Sequence, residues 1–124
     1  MIEIPIQQIF GNLYSGGCYF LTLLHFAKIE DEAVKYYKLF VKNKWLDEDC
    51  FVRQPTEIMK CLFGGDWRVV KSVKDDFKAD FAVLLYYNPK TGLRHFTARD
   101  WDPLGDSNTR KNGYIESYRL FYRR

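Results

Sequence analysis

Cys18 stands where a glycine-rich loop, Ser15-Gly16-Gly17, runs into the apolar stretch Tyr19-Phe20-Leu21-Thr22-Leu23-Leu24. A thiol in the first turn of a helix faces the positive end of the helix dipole and unpaired backbone N–H groups. Both favour the thiolate, the form of cysteine that attacks carbon. Nucleophilic chemistry at Cys18 requires a base that takes the thiol proton and returns it to a leaving group, and a further group that orients the base. The chain has two histidines, so the choice of base is open to argument. His25 follows Cys18 by seven residues on the same expected helix. That is about 10 Å along the axis and beyond hydrogen-bond reach, so His25 is read as a packing or surface residue. His95 opens a strand directly after a turn, where tertiary folding can carry it to Cys18. Taken alone, it reads more readily as a hairpin surface residue than as a catalytic one.

The orienting group is expected to be Asp102, in Asp100-Trp101-Asp102-Pro103, because a short carboxylate beside a rigid proline can hold an imidazole in one tautomer. Asp100 is the alternative, and turn capping accounts for either. An oxyanion hole needs donors near the nucleophile. The backbone N–H of Cys18 supplies one, and a side-chain amide upstream supplies another: Asn12, or else Gln7 or Gln8. Asn12 in a glycine-flanked loop is also an ordinary turn residue.

The elements that must position these residues divide the chain in two. Residues 1–17 read as an extended lead-in with alternating Ile2, Ile4 and Ile6. Cys18 to about Lys28 is apolar nearly all round and predicts a helix buried on most sides. A second helix fits Glu32–Leu46, with Asp31 as N-cap and Val34, Tyr37, Phe40, Val41 and Trp45 at core spacing. A third follows Pro55-Thr56-Glu57 and stops at Gly64-Gly65. From Trp67 the period changes to two, through Val69, Lys71 and Val73. Phe81–Tyr87 is a continuous apolar run, as for a strand covered on both faces. After the turn Asn88–Gly92, strands fit Arg94–Arg99 and Tyr114–Arg123. The expectation is a single α+β domain over 1–124, mainly helical over 1–65 and mainly β over 66–124, with the buried helix packed on an antiparallel sheet.

A chain of 124 residues buries roughly two-thirds of its unfolded surface and needs no disulfide staples. Its 47% hydrophobic and 18% aromatic content excludes a disordered segment. A net charge of +3 is too mild to argue for nucleic acid. Arg119, Arg123 and Arg124 read as a solvated strand edge, and the many tyrosines as core and edge packing rather than a base-stacking surface. Met1–Ile6 does not form a secretion signal, and no apolar run approaches the ~20 residues that span a bilayer. With an odd count of three cysteines, these features give a cytoplasmic, reducing-compartment reading with free thiols, no nucleic-acid partner and no membrane partner. Cys50 and Cys61 lack the close pairing of a zinc site and are expected to be buried, inert thiols, so no metal and no organic cofactor is implied. Gly64-Gly65-Asp66 lacks the lysine of a phosphate loop.

A thiol opening a buried helix, an upstream amide, and then a sheet bearing His95 and Asp102 resembles the papain-like cysteine peptidase superfamily in its Cys, His, Asp order. Asn12–Lys28 is similar to the superfamily's nucleophile segment, with Asn12 where glutamine is common. His95-Phe-Thr-Ala and Trp101-Asp102-Pro103 are similar to the compact bacterial branch that includes bacteriocin-leader peptidases, and to small bacterial and phage domains near it. The separation of seven between His95 and Asp102 is shorter than usual there. The resemblance implies a papain-like fold and a thiol hydrolase that cuts a peptide or other amide bond. Cys18 would be nucleophile, His95 base and acid, Asp102 orienting group, and Asn12 an oxyanion donor, with a peptide or protein substrate. The alternative from a different class is a catalytically inactive papain-like fold that binds a protein through its aromatic, basic C-terminal strand.

Overall fold

The computed structural model describes residues 7, 9 and 16–124. It is a mixed α+β chain, with helices gathered in the first half and a four-stranded antiparallel sheet in the second. Asn12 and Gln8 lie outside the described residues. Gln7 and Ile9 have helical backbone, with Gln7 exposed and Ile9 in the core, which corrects the extended lead-in at those two positions.

Helix α1 spans Cys18–Phe26, and Phe20, Leu21, Thr22, Leu23 and Leu24 are buried within it. Burial around so much of the circumference is what its nearly uninterrupted apolar sequence requires. The chain leaves α1 through Lys28, whose φ of 58° turns the backbone into the left-handed region. A 3₁₀ turn at Glu30–Glu32 leads into α2, Ala33–Lys42. The expected cap at Asp31 is not made. Glu30, Asp31 and Glu32 instead place three carboxylates at the positive end of the helix. Helix α2 ends before the expected Leu46 because Lys44, at φ 62°, folds the chain back. The Trp45 carbonyl then accepts the backbone N–H groups of Arg53 and Gln54. Helix α3, Pro55–Phe63, starts on its proline and stops at Gly64, where φ is 71°.

The strands are β1 (Trp67–Ser72), β2 (Phe81–Asn88), β3 (Leu93–Thr97) and β4 (Tyr114–Arg123). Their order is β1-β4-β2-β3, so β4 is an interior strand and β3 an edge. Arg119 and Arg123 therefore do not decorate a sheet edge. Val73 falls beyond β1 and is exposed. A short helix absent from the sequence reading, α4 (Asn108–Asn112), precedes β4. Ser107 caps it by accepting the Arg110 N–H, the usual service of an N-cap serine.

The sheet has unequal faces. On one side Val83 and Phe121 join Phe20, Leu23, Leu24, Tyr37, Phe40, Ile58 and Met59 in the main core. On the other, Ala82, Leu84 and Leu120 form a smaller cluster fringed by tyrosines. Among the described residues no helix is long and apolar enough to cross a membrane.

Candidate functional site

The β2–β3 hairpin sets where His95 points. Gly92, at φ 73°, completes the turn by donating its N–H to the Asn88 carbonyl. The Asn88 side chain accepts the N–H of Lys90. The resulting register sets His95 opposite Tyr86, Phe96 opposite Leu85 and Thr97 opposite Leu84. Strand alternation therefore places Phe96 on the face covered by α1 and His95 on the face of the small cluster.

After β3 the Ala98 N–H donates to the Trp101 carbonyl at 2.8 Å, which turns the chain back on itself. Asp102 returns beside His95, and Nε2 lies 2.6 Å from Oδ1 with the two side chains 4% and 0% exposed. The Leu104 N–H also donates to Oδ1, and the Ser107 N–H and Oγ donate to Oδ2. Burial pushes the Asp102 carboxyl up, but the hydrogen bonds from His95, Leu104 and Ser107 outweigh it and hold the group below its ordinary value. An ionised carboxylate can only accept, so His95 Nε2 carries the proton and donates it. In the neutral ring this leaves Nδ1 as a free base. Asp100 is exposed and takes no part in this pair.

Cys18 opens α1 against the same strand: the Tyr19 ring packs on Phe96 with centroids 4.7 Å apart. The backbone N–H groups of Phe96 and of Cys18 itself favour the thiolate, as expected at a helix start. Burial works against them and is the largest influence, reinforced by the negative charge of Asp102, and the thiol is pushed up to about 11. The expectation of a resting thiolate is thus corrected: removing the sulfur from water costs the anion more than two amide dipoles return. Cys18 and His95 share no hydrogen bond in this structure, although Cys18 lies within the field of Asp102, the partner of His95.

The other thiols divide. Cys50 is buried, and burial followed by the charge of Asp49 pushes it up to about 12. Cys61 is exposed, which corrects its assignment as a buried thiol. It lies on α3, whose buried positions are Ile58 and Met59. Among the described residues no group of three or more His, Cys, Asp or Glu side chains is arranged to hold a metal.

Two residues to which the sequence reading gave no role in the site support it. The Ser107 hydroxyl works in both directions, donating to Asp102 Oδ2 while accepting the Arg110 N–H in the first turn of α4. Its signal was the serine ahead of Asn108-Thr109-Arg110, an N-cap pattern. Trp101, next to Asp102, stacks on His25 with centroids 4.1 Å apart and rings 2° from parallel. Spacing along the chain carries no trace of that contact.

These elements define an α+β domain in which a helix-borne thiol and a buried imidazole–carboxylate pair gather around the edge strand of a small antiparallel sheet. The chain belongs to the family whose model is described as "Protein of unknown function, DUF261", which matches residues 6–123. No curated protein and no solved structure gives a significant match.

Proposed function

We propose that the protein is a papain-like thiol hydrolase that cuts a peptide or other amide bond. The observation that carries this reading is the buried pair at 2.6 Å between His95 Nε2 and Asp102 Oδ1, which commits Nε2 as the donor and leaves Nδ1 as the ring's acceptor on the edge strand whose Phe96 N–H meets Cys18. Such a pair is costly to bury and serves best where an imidazole must be held as a base.

In the proposed reaction His95 Nδ1 takes the Cys18 proton as sulfur attacks the carbonyl carbon. The oxyanion is held by the Cys18 N–H and by the amide of Asn12. Collapse expels the amine, which receives the proton from His95, and leaves an acyl-thioester on Cys18. Water then attacks this ester, giving its proton to His95 and releasing the carboxylic acid and the thiol. A thiol raised to about 11 fits proton transfer concerted with attack rather than a standing ion pair. Asp102 stabilises the imidazolium as it forms.

The same raised thiol, and the missing Cys18–His95 hydrogen bond, favour a second reading, a papain-like scaffold without catalysis. Iodoacetamide labelling across roughly pH 5–9, resolved at each cysteine by mass spectrometry, separates the two. A hydrolase whose imidazole assists the attack labels at Cys18 faster in the parent than in His95→Ala near neutral pH, while labelling at exposed Cys61 is the same in both. Labelling at Cys18 that ignores His95→Ala at every pH sinks the hydrolase reading.

A further inference from the structure

Beside the start of α1 is a cavity of about 410 Å³, within the range of small-ligand and short-peptide sites. Gly16 and Tyr19, the residues that bracket Cys18 in the chain, contribute to its wall; Cys18 does not. Val52, Val69 and Phe96 give it an apolar lining, and Lys71 and Arg119 place two cations at the same cavity.

Those cations are arranged at a cost. Lys71 and Arg119 are direct cross-strand partners on β1 and β4, and like charges facing each other destabilise a sheet. Neither makes an ion pair among the described residues. Glu116 feels both charges but is engaged by Arg94 at 2.8 and 3.1 Å. Arg119 donates to the Ser117 hydroxyl at 2.9 Å and lies over the Phe96 ring, which orients the guanidinium without neutralising it. A third observation is independent of the charges: the Tyr19 hydroxyl is buried without a hydrogen-bond partner. A buried hydroxyl without a partner is uncommon, and water, strain or a ligand accounts for it.

Two unneutralised cations beside an apolar space call for an anion attached to an apolar body. We propose that this cavity binds the free C-terminal carboxylate of a peptide whose last residue is apolar. That the ligand is a peptide rests on the hydrolase reading; the carboxylate and the apolar body rest on the cavity alone. Seated beside Cys18, such a peptide would present a bond within its last few residues, so the protein would trim chain ends rather than cut internally.

The test uses the full chain carrying Cys18→Ser, so that nothing is consumed, and calorimetric titration with acetyl-Ala-Ala-Leu as the free acid and as the carboxamide. The free acid is expected to bind at least about tenfold tighter, as a charge-assisted contact requires. Lys71→Met should bring the two within about threefold. Lys71 is exposed, so this variant keeps the fold even if Arg119→Met does not. Equal affinity for acid and amide, binding of neither, or a preference untouched by Lys71→Met would overturn the proposal. The wild-type protein separates the two readings. Selective binding of the acid without cleavage keeps the cavity assignment and removes the hydrolase; cleavage that ignores the terminal carboxylate removes only the cavity assignment.

Discussion

The two histidines stand in opposite regimes although each faces a carboxylate. His25 Nδ1 lies 3.4 Å from Glu30 Oε1, with side chains 26% and 38% exposed. His95 Nε2 lies 2.6 Å from Asp102 Oδ1, with exposures of 4% and 0%. Water screens the first pair, so it contributes little. The second has given up its hydration and depends wholly on its partners, so losing one of them is severe. The same two residue types thus form a surface contact in one place and a committed structural element in the other. Trp101 links them, because it stacks on His25 and immediately precedes Asp102.

The largest effect should come from the buried pair. Asp102→Ala leaves His95 and Ser107 without their acceptor and is expected to cost about 3–5 kcal/mol in urea denaturation. Asp102→Asn, which keeps shape and some acceptors, should cost less. The pair also sets an acid limb. The folded Asp102 carboxyl is held below its unfolded value, so its contribution is complete above the ordinary carboxylate pKa and is lost as pH falls through the lower, folded one. Urea midpoints measured from pH 6 downward should therefore fall more gently in Asp102→Asn than in the parent. Identical slopes would mean that Asp102 carries no such linkage.

A middle effect is expected from Ser107→Ala, which deletes one donor to Asp102 and the cap of α4 together. It should cost about 1–2 kcal/mol by the same denaturation, and hydrogen exchange should quicken over Asn108–Asn112 first.

His25→Ala removes a stacked ring from Trp101, for which about 1 kcal/mol is the expected loss. If Trp101 steadies the Asp102 turn, this variant will also broaden the His95 ring resonances. The smallest effect belongs to Glu30→Ala. Its Oε2 is buried without a partner, so the loss of a screened contact is offset by relief of that group, and stability should change by less than about 0.5 kcal/mol. A larger loss would show that the two histidine sites are less different than their burial implies.

Local pattern carried much of the architecture. The apolar run after Cys18 could satisfy itself only as a buried helix, and the glycines at 64 and 65 end α3 because both take positive φ. Phe81–Tyr87 read as a covered strand and lies inside the sheet, between β4 and β3. Where reading failed, a contact between distant residues had intervened. Lys44 turned the chain out of α2 toward Val52, which pairs with Leu46. The α4 helix, five residues long, is too brief to show a period. The candidate site was legible as residue types in order, because three cysteines and two histidines can be sorted by position, whereas Asp102 was picked from among ten aspartates by its proline neighbour and its place after His95.

The sequence by itself determined the helical half and the β half, the turn that launches β3, and that His95 rather than His25 could leave the helix bearing Cys18. These follow from side-chain periodicity and from backbone preferences at glycine and proline, which act within a few residues. Only the tertiary structure decided that β4 is interior, that Asp102 rather than Asp100 meets His95, that Ser107 and Trp101 support that meeting, and that Cys18 rests as a thiol. Each of these depends on which groups lose water together, and desolvation is a property of the packed neighbourhood rather than of the chain.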